Sequence, residues 1–309
     1  MWSIERNESY QQIVSQPIDV FQENWERWHQ GREERLATEH GWLSLRSIDW
    51  LDDGETKRIP GFPGTWRQDG STVTYTPDPE TKVTNKGRVL DSPFEVTVEK
   101  TGDYNLEDFD DGDVRAQLIK RIGSDRQYAV RVRDPHSAAR SEFAGVPHFA
   151  PDPRWVVSAR YVPNTQWESV IVNAVDGGLS HDETGIGTLY VSIAGAEYPL
   201  TVFQGHNDTS GLIGTSADGR AEYLDNRVDT DNIGFLLFKD GTSGKETYGG
   251  ARVLTFDISN PAAVTFADFN RAMNLPCAFT AYCTCPFAPL SNRLPIRVTA
   301  GEKVPEHSY

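Results

Sequence analysis

The pattern of apolar positions first predicts one long amphipathic helix near the start of the chain. From Ile18 to about Ala37, apolar side chains recur at helical spacing, with Glu, Arg and Gln between them. The apolar positions are Phe21, Trp25, Trp28 and Leu36. Because two of them are tryptophans one turn apart, we expect this face of the helix to pack on the body of the protein.

After Gly41 the pattern changes to short alternating or β-branched runs, which Gly, Asp, Asn and Pro separate. Strands that follow one another at intervals of about 8–15 residues, with turn residues between them, are typical of an antiparallel sandwich or barrel. No helical segments alternate with them, which disfavours a doubly wound parallel sheet. The predicted strands are residues 71–76, 94–98, 116–121, 127–133, 155–162, 169–175, 188–193, 197–203, 233–238, 251–256 and 294–298.

A second, short helix is predicted near the C-terminus. The run from Thr265 to Asp268 resembles a capping box, and Asn274 and Pro276 would end the helix that follows it. The sequence therefore predicts a mainly β fold, an antiparallel sandwich or barrel with an N-terminal helix and a short C-terminal helix. It also predicts an N-terminal helical arm at residues 1–40 and a single β-rich domain at residues 41–309.

Composition and charge narrow the class of protein. The chain has 309 residues, of which 38% are hydrophobic, so it can bury a core, and its formal net charge is -15. Such an acidic chain repels phosphates and anionic membrane surfaces, so we expect neither a nucleic-acid nor a membrane partner. Because no apolar run reaches about 18 residues and the start is not basic-then-apolar, we expect a soluble, cytoplasmic protein. The sequence indicates no cofactor and leaves the oligomeric state open.

The three cysteines, Cys277, Cys283 and Cys285, lie within nine positions of one another. Their odd number argues against a disulfide framework. Fewer than four thiols, with no histidine among them, argue against a self-contained structural zinc site, so we expect buried, reduced thiols and no metal. A thiol redox or metal role for the cluster stays open as an alternative.

The strand at residues 127–133 carries the first candidate for ligand binding. Period-two alternation places Arg131 and Arg133 on one face, and Asp134 follows just before Pro135. Two guanidinium groups at the end of a strand suit a carboxylate or a phosphate. The alternative is an intramolecular ion pair on a solvent-exposed face.

The second candidate region extends from Phe238 to Lys303. Arg252 shares a strand face with Leu254 and Phe256, which predicts an interior guanidinium that needs a partner. The irregular, proline-rich segment that follows must be held by side chains, because prolines leave few backbone donors. Three asparagines are candidates for this role, Asn270, Asn274 and Asn292.

Several short motifs occur together along the chain. They are Gly41–Leu45, Arg131–Asp134, Phe143–Gly145, Thr247–Arg252, Asp268–Ala272, Pro276–Phe279, Thr284–Pro286, Asn292–Leu294 and Ala300–Glu302. In this combination they resemble an uncharacterised bacterial and archaeal family called domain of unknown function 1684, over about residues 40 to 303. The resemblance implies little about function. The family pattern has a smaller residue at the position of Cys283, so Cys277 and Cys285 carry more weight.

We therefore hypothesise a pocket for a small anionic molecule, either binding or catalytic, formed by the arginine strand and the C-terminal region. No catalytic motif of known mechanism is present, so enzymatic activity stays open, with Cys277 or Cys285 as a conceivable nucleophile that has no assigned base. The alternative is a structural or interaction module in which the same side chains form a buried polar network without catalytic activity. The ligand-binding candidates are Arg133, Asp134, Tyr248, Arg252, Asp268, Asn270, Arg271 and Asn292.

Overall fold

The structure, a computed structural model, describes residues 10–85, 87–97, 108–123, 126–205 and 232–306. The helices are α1 (Tyr10–Val14), α2 (Ile18–Leu36) and α3 (Ala138–Ser141). The strands are β1 (Leu45–Trp50), β2 (Thr56–Lys57), β3 (Thr65–Asp69), β4 (Thr72–Thr76), β5 (Val83–Asn85), β6 (Arg88–Leu90), β7 (Phe94–Thr97), β8 (Asp108–Asp111), β9 (Val114–Lys120), β10 (Ile122–Gly123), β11 (Tyr128–Arg133), β12 (Val156–Asn173), β13 (Leu179–Ile193), β14 (Ala196–Gln204), β15 (Ile233–Phe238), β16 (Arg252–Asp257), β17 (Phe266–Asp268) and β18 (Met273–Asn274).

The described strands form three antiparallel sheets. A six-stranded sheet has the order β1-β11-β9-β8-β5-β6, and a four-stranded sheet has the order β2-β3-β4-β7. The largest sheet has eight strands. Seven follow the order β17-β12-β13-β14-β15-β16-β18, and the eighth, β10, also pairs with β13. None of these sheets closes into a barrel within the described ranges, so the predicted antiparallel β fold is confirmed in its sandwich form.

The four-stranded and six-stranded sheets share one core. On the four-stranded sheet, Trp66, Val73 and Tyr75 alternate with more exposed residues and are buried. They belong to the same apolar cluster as Leu118 on β9 and Val130 on β11. Two sheets that bury their alternate side chains against each other are the defining arrangement of a sandwich.

The eight-stranded sheet is buried on both faces at β15. Along β15, Phe235 and Leu237 belong to one apolar cluster, whereas Leu236 and Phe238 belong to another. This division follows from the alternation of side chains in a strand. It also explains why β15 is an almost continuous apolar run in the sequence.

The helix predicted over residues 18–37 is observed as α2, which covers one face of this sheet. Trp25 and Trp28 lie in the same apolar cluster as Phe235 and Leu237, as expected for the tryptophan-bearing face. The indole N–H of Trp25 also donates to the carbonyl of Asn270 at 2.7 Å. In the described ranges no helix has the length and apolar character needed to cross a membrane. The division of the chain at residue 40 stays a prediction.

The C-terminal helix is shorter than the sequence pattern suggests. Residues 266–268 form β17, which pairs with β12, and helical geometry is limited to the 3₁₀ turn Phe269–Arg271. Asp268, not Thr265, caps this turn by accepting from the Asn270 N–H at 3.0 Å. Strand pairing is favoured over a longer helix here because a short isolated helix gains few hydrogen bonds for the residues that it orders.

Three of the predicted strand runs differ in kind from the structure. The runs at 155–162 and 169–175 are one continuous strand, β12, with a bulge between Pro163 and Glu168. Residues 294–298 belong to no strand, although the carbonyl of Ile296 accepts from the Gly241 N–H at 2.7 Å. Pro295 removes a donor from this run, which is therefore extended chain without a ladder.

His29 on α2 should make the stability of the protein depend on pH. Its ring stacks on Trp25 with 4.7 Å between centroids, and burial lowers its pKa from 6.5 to about 4. Because the folded pKa lies below the unfolded value, the folded state binds fewer protons between these two values. His29 therefore contributes stability that is complete above the unfolded pKa and falls by up to about 3 kcal/mol as the pH drops toward the folded pKa.

Urea unfolding at several values between about pH 7 and pH 4 measures this loss. The loss should be smaller in His29→Phe. It should persist in His136→Gln, since the side chain of His136 is 76% exposed. Equal pH dependence in wild type and His29→Phe would contradict the assignment.

Candidate functional site

The candidate site lies under the C-terminal segment, where the 3₁₀ turns Pro276–Ala278 and Leu290–Asn292 replace regular elements. Pro276 begins the first of these turns and fixes its own φ without an N–H that would need a partner. After this turn the chain passes Cys283 and returns Cys285 to the side of Cys277.

The three thiols form one buried cluster. The Sγ atoms of Cys277, Cys283 and Cys285 lie within 4.8 Å of one another, and none is in a disulfide. The Cys277 N–H donates to Cys285 Sγ at 3.3 Å, and the Cys285 N–H donates to Cys277 Sγ at 3.1 Å. These reciprocal bonds join two turns of the segment and place a partial positive charge next to each of the two sulfurs.

The cluster separates the pKa values of its thiols. Burial opposes ionisation of Cys277, but hydrogen bonds with Cys283 and Cys285 and the charge of Arg131 hold its pKa well below the ordinary value. Burial, together with the hydrogen bond to Cys277, raises the pKa of Cys283 and of Cys285. Cys277 is therefore the thiol that ionises first.

Tyr248 joins the cluster from the chain just before β16. Its side chain is buried in the same apolar cluster as the cysteines and interacts with Cys277. Burial and the neighbouring thiols raise the pKa of Tyr248, so its hydroxyl stays protonated at neutral pH. A protonated phenol can donate to a Cys277 thiolate.

Arg131 supplies the positive charge of the site. Alternation along β11 turns Arg131 and Arg133 toward Trp42, which confirms the predicted shared face. The Arg131 Cζ lies 5.6 Å from the centroid of the Trp42 ring, and its Nη2 donates to Thr284 Oγ1 at 3.3 Å. Among the described residues, no carboxylate lies within ion-pair distance of Arg131, and its Nε and the Trp42 Nε1 have no hydrogen-bond acceptor.

Thr284 links the thiols to a second buried arginine. Its hydroxyl accepts from Arg121 Nε at 2.7 Å, and its carbonyl is hydrogen-bonded with His181 Nε2. His181 Nδ1 in turn lies 3.8 Å from the buried carboxylate of Glu183. Because Thr284 stands between Cys283 and Cys285 in the sequence, these contacts fix the part of the chain that carries two of the thiols.

Arg133 lies beside the site but donates to acceptors of the chain itself. Its guanidinium donates to the carbonyls of His40 and Gly41, at 3.0 and 2.8 Å, and to Gln117 Oε1 at 3.0 Å. The Arg133 Cζ also lies 4.9 Å from the Trp42 ring centroid. Arg133 therefore stabilises the chain at His40 and Gly41, just before β1.

Arg252 is fully buried, in agreement with the strand face on which the sequence places it. It donates to the carbonyls of Ala300 and Val298, the latter at 3.1 Å, and pairs with Asp240 at 3.4 Å. These three acceptors lie on the end of the chain and on the turn after β15. Arg252 thus fastens the extended C-terminal residues to the eight-stranded sheet.

The side-chain amides of Asn270 and Asn292 form hydrogen bonds with backbone groups. Asn292 accepts from the Thr201 N–H at 2.7 Å and donates to the carbonyls of Thr201 and Leu237, both at 2.8 Å. Asn270 accepts from the Asp152 N–H at 2.8 Å and donates to the Asp152 carbonyl at 3.0 Å. Each amide replaces the strand partner that an irregular segment lacks.

Asp268, Arg271 and Asp134 have other neighbours than the thiols. Asp268 pairs with Arg271 at 3.4 Å, and the Arg271 Cζ lies 5.8 Å from the centroid of the Trp28 ring. Asp134 accepts from Arg46 Nη1 at 3.2 Å. Of the eight predicted ligand-binding residues, Tyr248 is the one with a described contact to a thiol.

The sequence did not single out three residues of this site, namely Trp42, Cys283 and Thr284. It indicated Arg131 only as the neighbour of Arg133 on the same strand face. The motifs that resemble the family include Trp42, Arg131 and Thr284. These motifs were therefore the sequence signal that could have identified the three residues. For Cys283 the signal was its closeness in sequence to two further thiols.

The fold and the site define the class: an antiparallel β protein with three free thiols buried under an irregular C-terminal segment. Residues 141–303 match the family described as protein of unknown function (DUF1684), and the chain belongs to this family. The match begins after Trp42 and Arg131. A solution NMR structure of an uncharacterized protein from Haloarcula marismortui is similar, with 25% identity, a TM-score of 0.39 and coverage of 54% of this chain and 80% of that chain. A search of the curated proteins finds no match.

Arg252→Met should destabilise the protein in the absence of any ligand. The substitution removes the positive charge that pairs with Asp240, although Asp240 still accepts from the Thr242 hydroxyl and the Val298 N–H, and it takes the guanidinium donor away from the carbonyls of Val298 and Ala300. We expect the free energy of unfolding to fall by about 3–5 kcal/mol, the usual cost of breaking a buried charge pair from one side.

Arg160→Met is the matched control, because Arg160 forms an exposed ion pair with Glu197 at 3.1 Å. Such surface pairs contribute little to stability. Urea unfolding of both variants measures the difference. An Arg252→Met protein as stable as wild type would contradict the fastening role.

Proposed function

We propose that the protein binds a small anionic molecule at Arg131, next to Trp42 and the thiol cluster. The observation that supports this proposal is the surroundings of Arg131, which is 2% exposed. Within the described ranges its neighbours are a hydroxyl and an aromatic ring instead of a carboxylate. The proposal keeps the anionic ligand expected from the sequence but assigns it to Arg131 in place of Arg133 and Arg252.

The energetic argument rests on charge burial. A guanidinium removed from water without a counter-charge is strongly destabilising. An anion that accepts from Arg131 Nε would recover part of this cost, and Arg suits carboxylates and phosphates because its donors form a planar fork. The indole N–H of Trp42 is a second buried donor in contact with the same guanidinium, and it also lacks an acceptor.

The thiols determine what such a site can do with its ligand. The lowered pKa of Cys277 raises the fraction of this thiol that is thiolate, which favours Cys277 over Cys285 as the reactive group. The nearest histidine in the network, His181, is hydrogen-bonded through Nε2 to the Thr284 carbonyl and is therefore not proposed as the base. We propose ligand binding with Cys277 as the reactive thiol and assign no reaction.

A structural role is the second candidate function. It is favoured by Arg252, Asn270 and Asn292, whose polar groups are bonded to the backbone of the chain itself. In this role the C-terminal segment fastens α2 to the eight-stranded sheet, and a Cys277 thiolate is the counter-charge of Arg131. The two candidates differ in whether an added anion stabilises the protein.

We also propose a cytoplasmic location. Three thiols as close together as these are best preserved in a reducing compartment. The formal net charge of -15 continues to argue against a nucleic-acid partner.

Thermal unfolding against a panel of small carboxylates and phosphate monoesters tests the proposed function. At least one member should raise the Tm of the wild type, by about 5 °C when its concentration is a hundred times Kd. Arg131→Met should lose this shift, because it removes the charge and the fork of donors. Arg131→Lys, which keeps the charge without the fork, should retain a smaller shift.

Arg160→Met is again the control and should respond as the wild type does. If no anion stabilises the wild type, or if Arg131→Met and the wild type shift equally, the anionic site is wrong and the structural role is favoured.

A further inference from the structure

We propose that Cys277, Cys283 and Cys285 form a binding site for a thiophilic divalent cation, with Zn²⁺ as the ion whose chemistry suits the site best. This inference goes beyond the anionic ligand proposed above and does not depend on it. It starts from the mutual distances of the sulfurs, from their backbone contacts and from the charge of Arg131.

The sulfurs are already close to the spacing that a metal requires. All three Sγ atoms lie within 4.8 Å of one another. A tetrahedral zinc ion with bonds of about 2.3 Å holds its sulfur ligands about 3.8 Å apart. Small rotations of buried side chains are therefore enough to bring three thiolates around one ion.

The backbone supports sulfur atoms that carry negative charge. The N–H groups of Cys277 and Cys285 each donate to the sulfur of the other residue, at 3.3 and 3.1 Å. A thiolate accepts such a bond more strongly than a thiol does, because its charge is larger. Contacts of this kind around the ligands orient them and tune the metal that they bind.

The charges of the buried site select a divalent ion. Three thiolates carry three negative charges, so a Zn²⁺ ion leaves a single negative charge on the complex. Arg131 balances this charge, since its Nη2 donates to the hydroxyl of Thr284, the residue between Cys283 and Cys285, and it has no carboxylate partner among the described residues. A monovalent ion such as Cu⁺ leaves one more negative charge buried without a counter-charge.

The fourth coordination position is assigned to water. Zinc sites with three protein ligands and an open position are typical of catalysis, and three cysteines serve as the ligands in some zinc deaminases. Tyr248 is buried in the same apolar cluster as the three cysteines. The sequence argument against zinc required a fourth cysteine or a histidine, which an open site of this kind does not need.

Metal binding is written as a balanced exchange of ions. One Zn²⁺ enters and forms three zinc–sulfur bonds, while each cysteine that enters as a thiol releases its proton. No oxidant or reductant takes part. Up to three protons are therefore released to the buffer for each ion bound.

Metal analysis of the full-length protein is the first test. Protein produced with added zinc and then dialysed should contain about one zinc per chain by mass spectrometry. Each of Cys277→Ser, Cys283→Ser and Cys285→Ser should lower this content at least tenfold. His136→Gln should retain the zinc, because His136 lies on the surface near Asp113 and away from the cluster.

Cobalt substitution of the wild type provides a readout that does not depend on the folding of any variant. Because the chain has only three cysteines, sulfur-to-cobalt charge-transfer absorption can arise only from this cluster. Metal-free, folded wild type titrated with Co²⁺ should develop this absorption together with the visible bands of tetrahedral cobalt, saturating at about one ion per chain.

The results separate the possibilities. Zinc in the wild type, its loss in the cysteine variants and the cobalt–sulfur absorption together support the proposal. Absence of both retained zinc and cobalt–sulfur absorption overturns it, and so does equal zinc in wild type and cysteine variants. Copper retained in place of zinc overturns the divalent assignment. Failure of the anion panel leaves these metal readouts unchanged, so failure of the anion proposal and failure of the metal proposal are told apart by separate measurements.

Discussion

Burying an irregular stretch of chain requires a hydrogen-bond partner for every peptide group that a strand or helix would otherwise have paired. Between residues 269 and 302 this protein supplies the partners from side chains. Asn292 bridges β14 and β15, and Arg252 collects carbonyls from the end of the chain. The position of the whole C-terminal segment depends on these contacts. The distances between the thiols depend on them in turn, since all three cysteines lie within that segment.

Glu302 extends the same constraint to α2. Its buried carboxylate accepts from Arg32 Nε at 3.0 Å and from the Asn274 N–H at 2.6 Å. A buried ion pair adds little net stability over apolar packing, but removal of one partner is costly. The pair therefore fixes the orientation of α2 on the sheet, where Trp25 and Trp28 supply the apolar contact area. Regular and irregular parts of the fold thus share one buried polar network.

The electrostatics of the site follow from the same packing. β11 is covered on both sides, so Arg131 and Arg133 are removed from water although they stand on an ordinary alternating strand. Arg133 donates to backbone carbonyls, whereas Arg131 contacts Trp42 and Thr284 and lies near the thiols. The positive charge of Arg131 and the backbone bonds to sulfur both favour negative charge at one place. An anionic ligand, a thiolate and a metal–thiolate complex each supply negative charge at this place.

Local pattern was sufficient wherever the deciding interactions are near in sequence. The spacing of apolar side chains identified α2, and alternation identified the shared face of Arg131 and Arg133, because helices and strands repeat over a few residues. Pairing with distant strands decided what pattern missed, namely the β17 strand in place of a longer helix and the unbroken β12. The site belongs to the second kind. Three neighbouring cysteines are visible in the sequence, but the meeting of Cys277 with Tyr248 and Arg131 exists only after distant segments have packed together, since their contacts join residues far apart along the chain.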